Sequence, residues 1–239
     1  MDSFHYAIAP EIFQDHPEYC RGIVVFHKLD NTRPSQELTT LLRTSEASLR
    51  QRVTGNPAEH PHITAWRNAY RSFGAKPAEH RSSIEALSRR VLKPDSLPDI
   101  NPLVDIGNLL SLRYLLPAGV HPIGKQSSNV LLRKANDADC FLADADKEPE
   151  VPTVGEVVLA AGNRVLTRRW TWRQAADTRT LPETDFVFFD IDGLPPVNQA
   201  DVEYAIQDVV ELVQRFCNGQ LLGSAILTAQ QPTLNFSIN

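Results

Sequence analysis

Apolar residues along the chain recur with two different spacings. From Ser35 to Val53, leucines return every three or four positions, which predicts an amphipathic helix. The same spacing predicts four more helices, over Ile63–Ser72, Ser82–Leu92, Asn101–Leu116 and Asn198–Cys217. Asn101 and Asn198 are suited to begin the last two, because an asparagine side chain accepts hydrogen bonds from the free N–H groups of a first helical turn.

Short runs rich in aromatic and β-branched residues predict strands. They lie at Phe4–Ala9, Gly22–His27, Asn129–Arg133, Cys140–Ala143, Glu156–Ala160, Arg164–Thr167, Phe186–Ile191 and Leu221–Ala229. Most helices precede most strands, and there is no regular β-α-β alternation. This order predicts an α+β fold with a mixed, mostly antiparallel sheet packed with helices, and one domain over residues 1–239.

Composition and charge narrow the function classes. The chain has 239 residues and a net charge of −5, whereas a protein that binds nucleic acid through its overall charge tends to be basic. Any RNA contact therefore needs a local basic patch. The three cysteines lie far apart and form no zinc motif, so neither a metal nor a cofactor is expected, and a cytoplasmic setting is the simplest interpretation. No signal peptide or membrane-spanning run is visible.

The stretch Leu97–Pro117, LPDINPLVDIGNLLSLRYLLP, carries the most specific pattern. It resembles the opening of the editing domain of the phenylalanyl-tRNA synthetase β subunit, where Ile-Asn-x-x-Val-Asp-x-x-Asn precedes an apolar run and a Pro/Gly turn. Other segments similar to free-standing relatives of that domain are Trp66, Tyr70, Phe73–Gly74, Arg81–Ser83, Gly155–Val157, Arg168–Gln174 and Glu183–Asp190. The similar region runs from about residue 66 to residue 192.

This resemblance implies a function in tRNA quality control. The family's editing domain binds the acceptor end of mischarged tRNA and hydrolyses the aminoacyl ester. The resemblance places a catalytic histidine at His121 and a carboxylate at Asp190, where the family has glutamate. The family's Gly-rich stretch before that carboxylate is replaced here by the Arg/Trp segment at 168–173. No aminoacylation motif is visible, so the chain is expected to act as a detached domain.

The chemistry expected at these positions is simple. Hydrolysis of an activated ester needs a positioned water and a stabilised oxyanion, and His121 could hold or deprotonate that water. Asp190 and Asp192 alternate with apolar residues, so both carboxylates lie on one face of the strand. They could bind an α-amino group or orient water. The alternatives are a turn histidine with one structural hydrogen bond, and strand-end carboxylates that pair with arginine.

Further substrate-binding candidates come from the long helix and from the Arg/Trp segment. Asp105 and Asn108 share a helix face with Asn101. Asp105 needs a partner if it is buried, for example an arginine from 168–173, and the alternative to substrate binding is a structural ion pair or hydrogen-bond anchor. In a strand, Arg169 and Arg173 would share one face and Trp170 the other, so the segment could contact phosphates and stack the terminal adenine. Alternatively, the tryptophans belong to the core.

A second basic cluster lies around the short helix at 82–92. Arg81, Arg89 and Arg90 could contact the tRNA backbone, although a solvated helix face explains them equally well. Three function hypotheses stay open: a hydrolase of mis-aminoacylated tRNA acting in trans, a non-catalytic RNA- or tRNA-binding module, and a small-molecule sensor of amino acids. The sequence leaves the oligomeric state open.

Overall fold

The computed structural model describes residues 3–124 and 128–237, which form ten β-strands and six α-helices. The strands are β1 (Ser3–Ile8), β2 (Cys20–His27), β3 (Ala118–Pro122), β4 (Asn129–Lys134), β5 (Val157–Ala161), β6 (Arg164–Arg168), β7 (Arg173–Gln174), β8 (Phe186–Gly193), β9 (Gln220–Leu227) and β10 (Thr233–Ser237). The helices are α1 (Pro10–Asp15), α2 (Gln36–Arg52), α3 (Pro61–Ser72), α4 (Ser83–Val91), α5 (Pro102–Tyr114) and α6 (Gln199–Cys217).

The strands form two sheets. The six-stranded sheet has the order β10-β1-β4-β5-β6-β7, and the four-stranded sheet has the order β3-β8-β2-β9. Only the β1–β4 pair is parallel among the described strand pairs. The predicted α+β class, with mixed and mostly antiparallel sheets, is confirmed.

The four-stranded sheet is covered on both faces. On one face, a Cβ at Gly22 would overlap Val202 and Ile206, so α6 packs directly onto β2. On the other face, the Phe188 ring lies 5.4 Å from that of Phe4 in β1. Because side chains alternate along a strand, Asp190 and Asp192 lie on the same face as Phe188. Both carboxylates therefore lie between the two sheets.

Helix α5 leads the chain to the edge strand β3. Asn101 accepts a hydrogen bond from the Val104 N–H at 3.1 Å, as predicted for a capping residue. The helix is buried along most of its length, and it ends where Leu115 adopts a left-handed conformation (φ 55°). Pro117 follows, and β3 then pairs with β8, which places Gly119 opposite Asp190.

The predicted helices all form, with ends that shift by one or two residues. The short strand predicted at Cys140–Ala143 does not form; it is reduced to isolated bridges from Cys140 to Arg164 and from Phe141 to Glu150. The short elements α1, β3, β7 and β10 were not predicted. None of the helices among the described residues combines the length and apolar character needed to cross a bilayer.

Candidate active site between the two sheets

A buried ion cluster lies on the inner face of the four-stranded sheet. Strand pairing sets Arg21 of β2 opposite Asp192 of β8. Arg21 Nη2 donates to Asp190 Oδ2 at 2.6 Å and to Asp192 Oδ2 at 3.3 Å, and Arg21 Nε lies 3.2 Å from Asp192 Oδ1. All three side chains are at most 4% exposed. One guanidinium therefore serves two carboxylates away from water.

A second layer of side chains supports Asp192. The Tyr19 hydroxyl donates to Asp192 Oδ1, and Trp170 Nε1 donates to the Tyr19 oxygen at 3.3 Å. The Trp170 ring meets Tyr19 and Trp66 edge-on, with centroids 4.9 and 5.2 Å apart. This apolar enclosure keeps solvent from one side of the ion cluster.

His121 joins the cluster from β3. Its ring stacks on Phe188 at 4.9 Å, and its Nε2 lies 3.3 Å from Asp190 Oδ2. Its Nδ1 lies 3.2 Å from Gln174 Nε2. That amide nitrogen also donates to the carbonyls of Thr178 (2.6 Å) and Val120 (3.3 Å), so it is an N–H donor toward His121. The hydrogen-bond network thus assigns the proton of the neutral ring to Nε2, which donates to Asp190.

The two carboxylates have opposite pKa shifts. Burial alone would raise the pKa of Asp190, but the charge of Arg21 and the contacts with His121 outweigh it and hold this pKa well below its usual range. Burial raises the pKa of Asp192 to about 6; attraction to Arg21 opposes the rise and repulsion by Asp190 adds to it. Asp190 is therefore the firmly ionised member of the pair.

Glycine at position 119 is required by this geometry. A Cβ there would overlap Asp190 Oδ1 and lie 3.0 Å from His121 Nε2. The backbone N–H of Gly119 also supports the ionised carboxylate of Asp190. A larger residue would push the His121–Asp190 contact apart.

A cleft of about 210 Å³ opens above the cluster; we call it the central cleft. Its floor includes Arg21, His121, Asp190 and Asp192. Its walls come from α5, β3 and the segment from β6 to β7, and include Val104, Asn108, Ala118, Thr167, Trp172 and Arg173. The Thr167 hydroxyl is buried and has no hydrogen-bond partner among the described residues. A charged floor with apolar walls and a few free polar groups is typical of a small-molecule site.

The structure brings together most of the predicted site residues. His121, Asp190, Asp192, Asn108 and Arg173 all line the central cleft. Arg173 Nη2 also donates to Asp144 at 2.8 Å. Four further residues at this site were not among those predicted from the sequence: Arg21, Tyr19, Thr167 and Gln174. Of these four, Arg21 alone has a local signal in the sequence, because it stands directly before the apolar run of β2.

The extended backbone that would give residues 168–173 alternating faces does not form. Strand β6 ends at Arg168, and both Arg169 (φ 52°) and Trp170 (φ 62°) are left-handed. The reversal turns Arg169 away from the central cleft and buries Trp170 completely. Trp170 lines the central cleft but has no exposed surface, so it belongs to the core, in agreement with the alternative given for this segment. Residues with alternating faces require an extended backbone, which this turn interrupts.

Asp105 lies outside the central cleft. It is buried and faces a separate cleft at the beginning of α5, where its Oδ1 accepts a hydrogen bond from the Ile100 N–H at 3.1 Å. Burial raises its pKa to about 6. The predicted arginine partner from 168–173 is wrong, because that segment lies at the other cleft.

The arginines near α4 line a shallow surface with Lys93 and Asp95. Arg89 Nε donates to Glu85 at 3.0 Å, and Arg81 lies 3.9 Å from the same carboxylate. Arg90 is exposed. Arg81, Arg89 and Arg90 form the arginine patch; Arg81 and Arg89 share the buried Glu85 with Arg67, whose Nη1 donates to it at 2.8 Å. Within the described ranges, no three His, Cys, Asp or Glu side chains are grouped to bind a metal ion.

Comparison with known proteins gives one family. A family model described as the B3/4 domain matches residues 65–218. Among solved structures, an N-terminal fragment of the phenylalanyl-tRNA synthetase β subunit from Pyrococcus horikoshii is similar, with 13% identity and a TM-score of 0.45. The alignment covers 90% of this chain and 49% of that one, so the chain spans about half its length. No curated protein matches.

Proposed function

Starting from the fact that this chain belongs to the B3/4 domain family, we propose that the central cleft binds the aminoacyl end of a mischarged tRNA and hydrolyses its ester in trans. The observation that carries the proposal is the His121–Asp190 pair on the cleft floor, with 3.3 Å between Nε2 and Oδ2. Asp190 fixes the ring with its proton on Nε2, so Nδ1 is the basic nitrogen. This is the arrangement that a histidine general base needs.

His121 Nδ1 can bind water without leaving Gln174 unpaired. The Gln174 amide has two hydrogens but three acceptors within 3.3 Å: Thr178 O, Val120 O and His121 Nδ1. If both hydrogens stay with the carbonyls, Nδ1 accepts no N–H from the amide and its lone pair can bind a water molecule, while ionised Asp190 keeps the ring proton on Nε2. The same nitrogen can then accept a proton from that water.

The proposed reaction is a simple hydrolysis. The water oxygen attacks the ester carbonyl carbon while His121 Nδ1 takes its proton, and ionised Asp190 stabilises the imidazolium that forms. The bond between the carbonyl carbon and the ribose oxygen then breaks, and His121 returns the proton to that oxygen. Asn108 and Thr167 line the cleft, and we assign their side chains as the donors for the carbonyl oxygen. The products are a free amino acid and uncharged tRNA.

Contacts with the nucleic acid lie at the rim. Arg173 at the cleft wall is placed to meet the terminal phosphates, and the arginine patch is placed to meet the backbone farther away. Because the chain is acidic overall, with a charge of −5, these few contacts give weak and salt-sensitive binding.

A non-catalytic tRNA-binding module is the second candidate. One observation favours it: Arg21 already neutralises the carboxylates, and His121, Asp190 and Asp192 are each at most 4% exposed. A floor so deeply buried leaves little surface for a reacting group. A sensor of free amino acids is the third candidate, and the 210 Å³ volume of the cleft suits it.

The test is deacylation of a panel of correctly and incorrectly charged tRNAs. We expect selective hydrolysis of a mischarged species, reduced about 100-fold or more in His121→Ala. Asp190→Asn should also lose activity, because an amide no longer stabilises the imidazolium. His27→Ala, a histidine variant outside the cleft, serves as the matched control and should keep wild-type activity. Circular dichroism confirms that each variant is folded.

The outcomes separate the three candidates. If wild-type protein binds tRNA but cleaves no ester faster than buffer does, the binding module replaces the hydrolase. If tRNA does not bind at low salt and a free amino acid raises the melting temperature, the sensor is correct. Equal hydrolysis by His121→Ala and wild type would reject the assigned base.

A further inference from the structure

The turn at Arg169–Trp170 has an unusual backbone. Two consecutive non-glycine residues are left-handed, a conformation that is unfavourable for residues with a Cβ because it crowds that atom against the following carbonyl oxygen. The Trp170 N–H donates to Val157 O at 2.6 Å, and the Thr171 N–H donates to Arg169 O at 2.7 Å. The burial of Trp170 in the core compensates for part of this cost. Strain of this kind often marks a functional position.

The turn places Arg169 in a second, smaller pocket. This pocket, the Arg169 pocket, has a volume of about 150 Å³ and is lined by Arg169, His80, Lys76, Glu79 and Glu156, among others. The guanidinium lies over the Trp172 ring, 4.4 Å from its centroid, and the His80 ring meets the same tryptophan edge-on. Trp172 also lines the central cleft, so its ring separates the two sites.

Among the described residues, the guanidinium of Arg169 has no carboxylate closer than 3.7 Å. Glu156 is bound by both Nε and Nη2 of Arg168, at 2.9 and 3.0 Å, whereas Arg169 Nε reaches it only at 3.7 Å. Among the residues that the structure describes, Arg169 Nη1 and His80 Nδ1 are buried without a hydrogen-bond partner. Burial and the neighbouring Arg168 lower the pKa of Arg169, which reflects this imbalance.

We propose that the Arg169 pocket is an anion site for a phosphate group, distinct from the central cleft. Arg169 Nη1 and His80 Nδ1–H would donate to the phosphate oxygens. Lys76, whose Nζ lies 3.3 Å from Glu79 Oε1, would contribute a second positive charge. A guanidinium beside an unpaired imidazole nitrogen suits phosphate oxygens well. The pocket is too small for a nucleoside, so the group is either free orthophosphate or the phosphate of a larger molecule that lies outside.

The first experiment titrates orthophosphate into the protein while the melting temperature is followed, with chloride at matched ionic strength as the reference. Phosphate should raise the melting temperature above the chloride curve. Arg169→Asn removes the guanidinium and keeps a residue that tolerates a left-handed backbone. It should weaken phosphate binding about tenfold or more. Arg33→Ala, which removes an exposed arginine outside the pocket, is the matched control and should bind phosphate normally.

Three results would overturn the proposal: no shift beyond chloride, an equal shift in Arg169→Asn, or an equal loss in Arg33→Ala. His80→Ala provides a second test that leaves the strained turn intact, and it should weaken phosphate binding by a smaller factor.

Measurements of tRNA affinity then identify the source of the phosphate. If phosphate competes with tRNA and Arg169→Asn weakens tRNA binding, the group belongs to RNA. If tRNA affinity is unchanged, the site holds a free anion. Neither result depends on ester hydrolysis.

Discussion

Asp190 and Asp105 are both buried carboxylates, yet their surroundings shift their pKa values in opposite directions. Asp190 has a guanidinium at 2.6 Å and an imidazole at 3.3 Å, and its pKa is held low. Asp105 accepts one backbone hydrogen bond, no cation contacts it closely among the described residues, and its pKa is raised to about 6. Burial alone therefore does not identify a functional carboxylate. Asp190 differs from Asp105 because Arg21, on the neighbouring strand β2, contacts it.

Removing Arg21 should have the largest effect on stability, because Arg21 is the cation that distinguishes Asp190 from Asp105. Arg21→Met leaves two carboxylates buried without a counter-charge, and we expect a loss of about 3–5 kcal/mol in the free energy of unfolding. Urea denaturation at pH 7.5 measures it. The matched control is Arg215→Met, because Arg215 pairs only with the exposed carboxylates of Glu37 and Glu211 among the described ion pairs; it should lose less than about 1 kcal/mol. Equal losses in the two variants would show that the Arg21 cluster is no more stabilising than a surface pair.

A smaller loss of stability is expected when an atom is added next to the carboxylate of Asp190. Gly119→Ala places a methyl group against Asp190 Oδ1, so the carboxylate or the strand must shift. We expect a loss of about 1–3 kcal/mol in stability, together with a loss of any esterase activity that exceeds the loss of folded protein. Gly107→Ala is the control, since a Cβ there has a nearest contact at 3.7 Å. Unchanged stability in Gly119→Ala would contradict the tight packing.

These residues also show what the sequence can predict. Alternation along β8 correctly places Asp190 and Asp192 on one face, and the family resemblance points to His121, which lies 3.3 Å from Asp190. Arg21 could not be found in this way, because its contact depends on the register of β2 against β8, which joins residues about 170 positions apart. The turn at Arg169–Trp170 has no glycine to signal it, so the extended pattern of arginine and tryptophan was misleading.

The smallest and most specific prediction concerns Asp105. Its pKa rises from 3.8 when unfolded to about 6 when folded, so the folded state binds more protons between these values. The contribution of this carboxyl to stability is thus complete below about pH 3.8 and is lost as the pH rises through 6. Asp105→Asn keeps an acceptor for the Ile100 N–H and carries no charge. It should be more stable than wild type by about 1 kcal/mol at pH 7.5, because partial solvation reduces the full effect.

The difference between the two proteins should shrink as the pH falls through 6 and vanish at about pH 3, below the unfolded pKa of 3.8, where Asp105 is protonated in both states of the wild type. Asp192, whose pKa is also raised to about 6, is present in both proteins, so its contribution cancels from the difference. Urea denaturation across this range measures the effect. A difference that stays constant with pH would mean that Asp105 titrates normally. In that case, Arg21 alone would explain why the pKa values of Asp190 and Asp105 differ, and the burial of Asp105 would play no part.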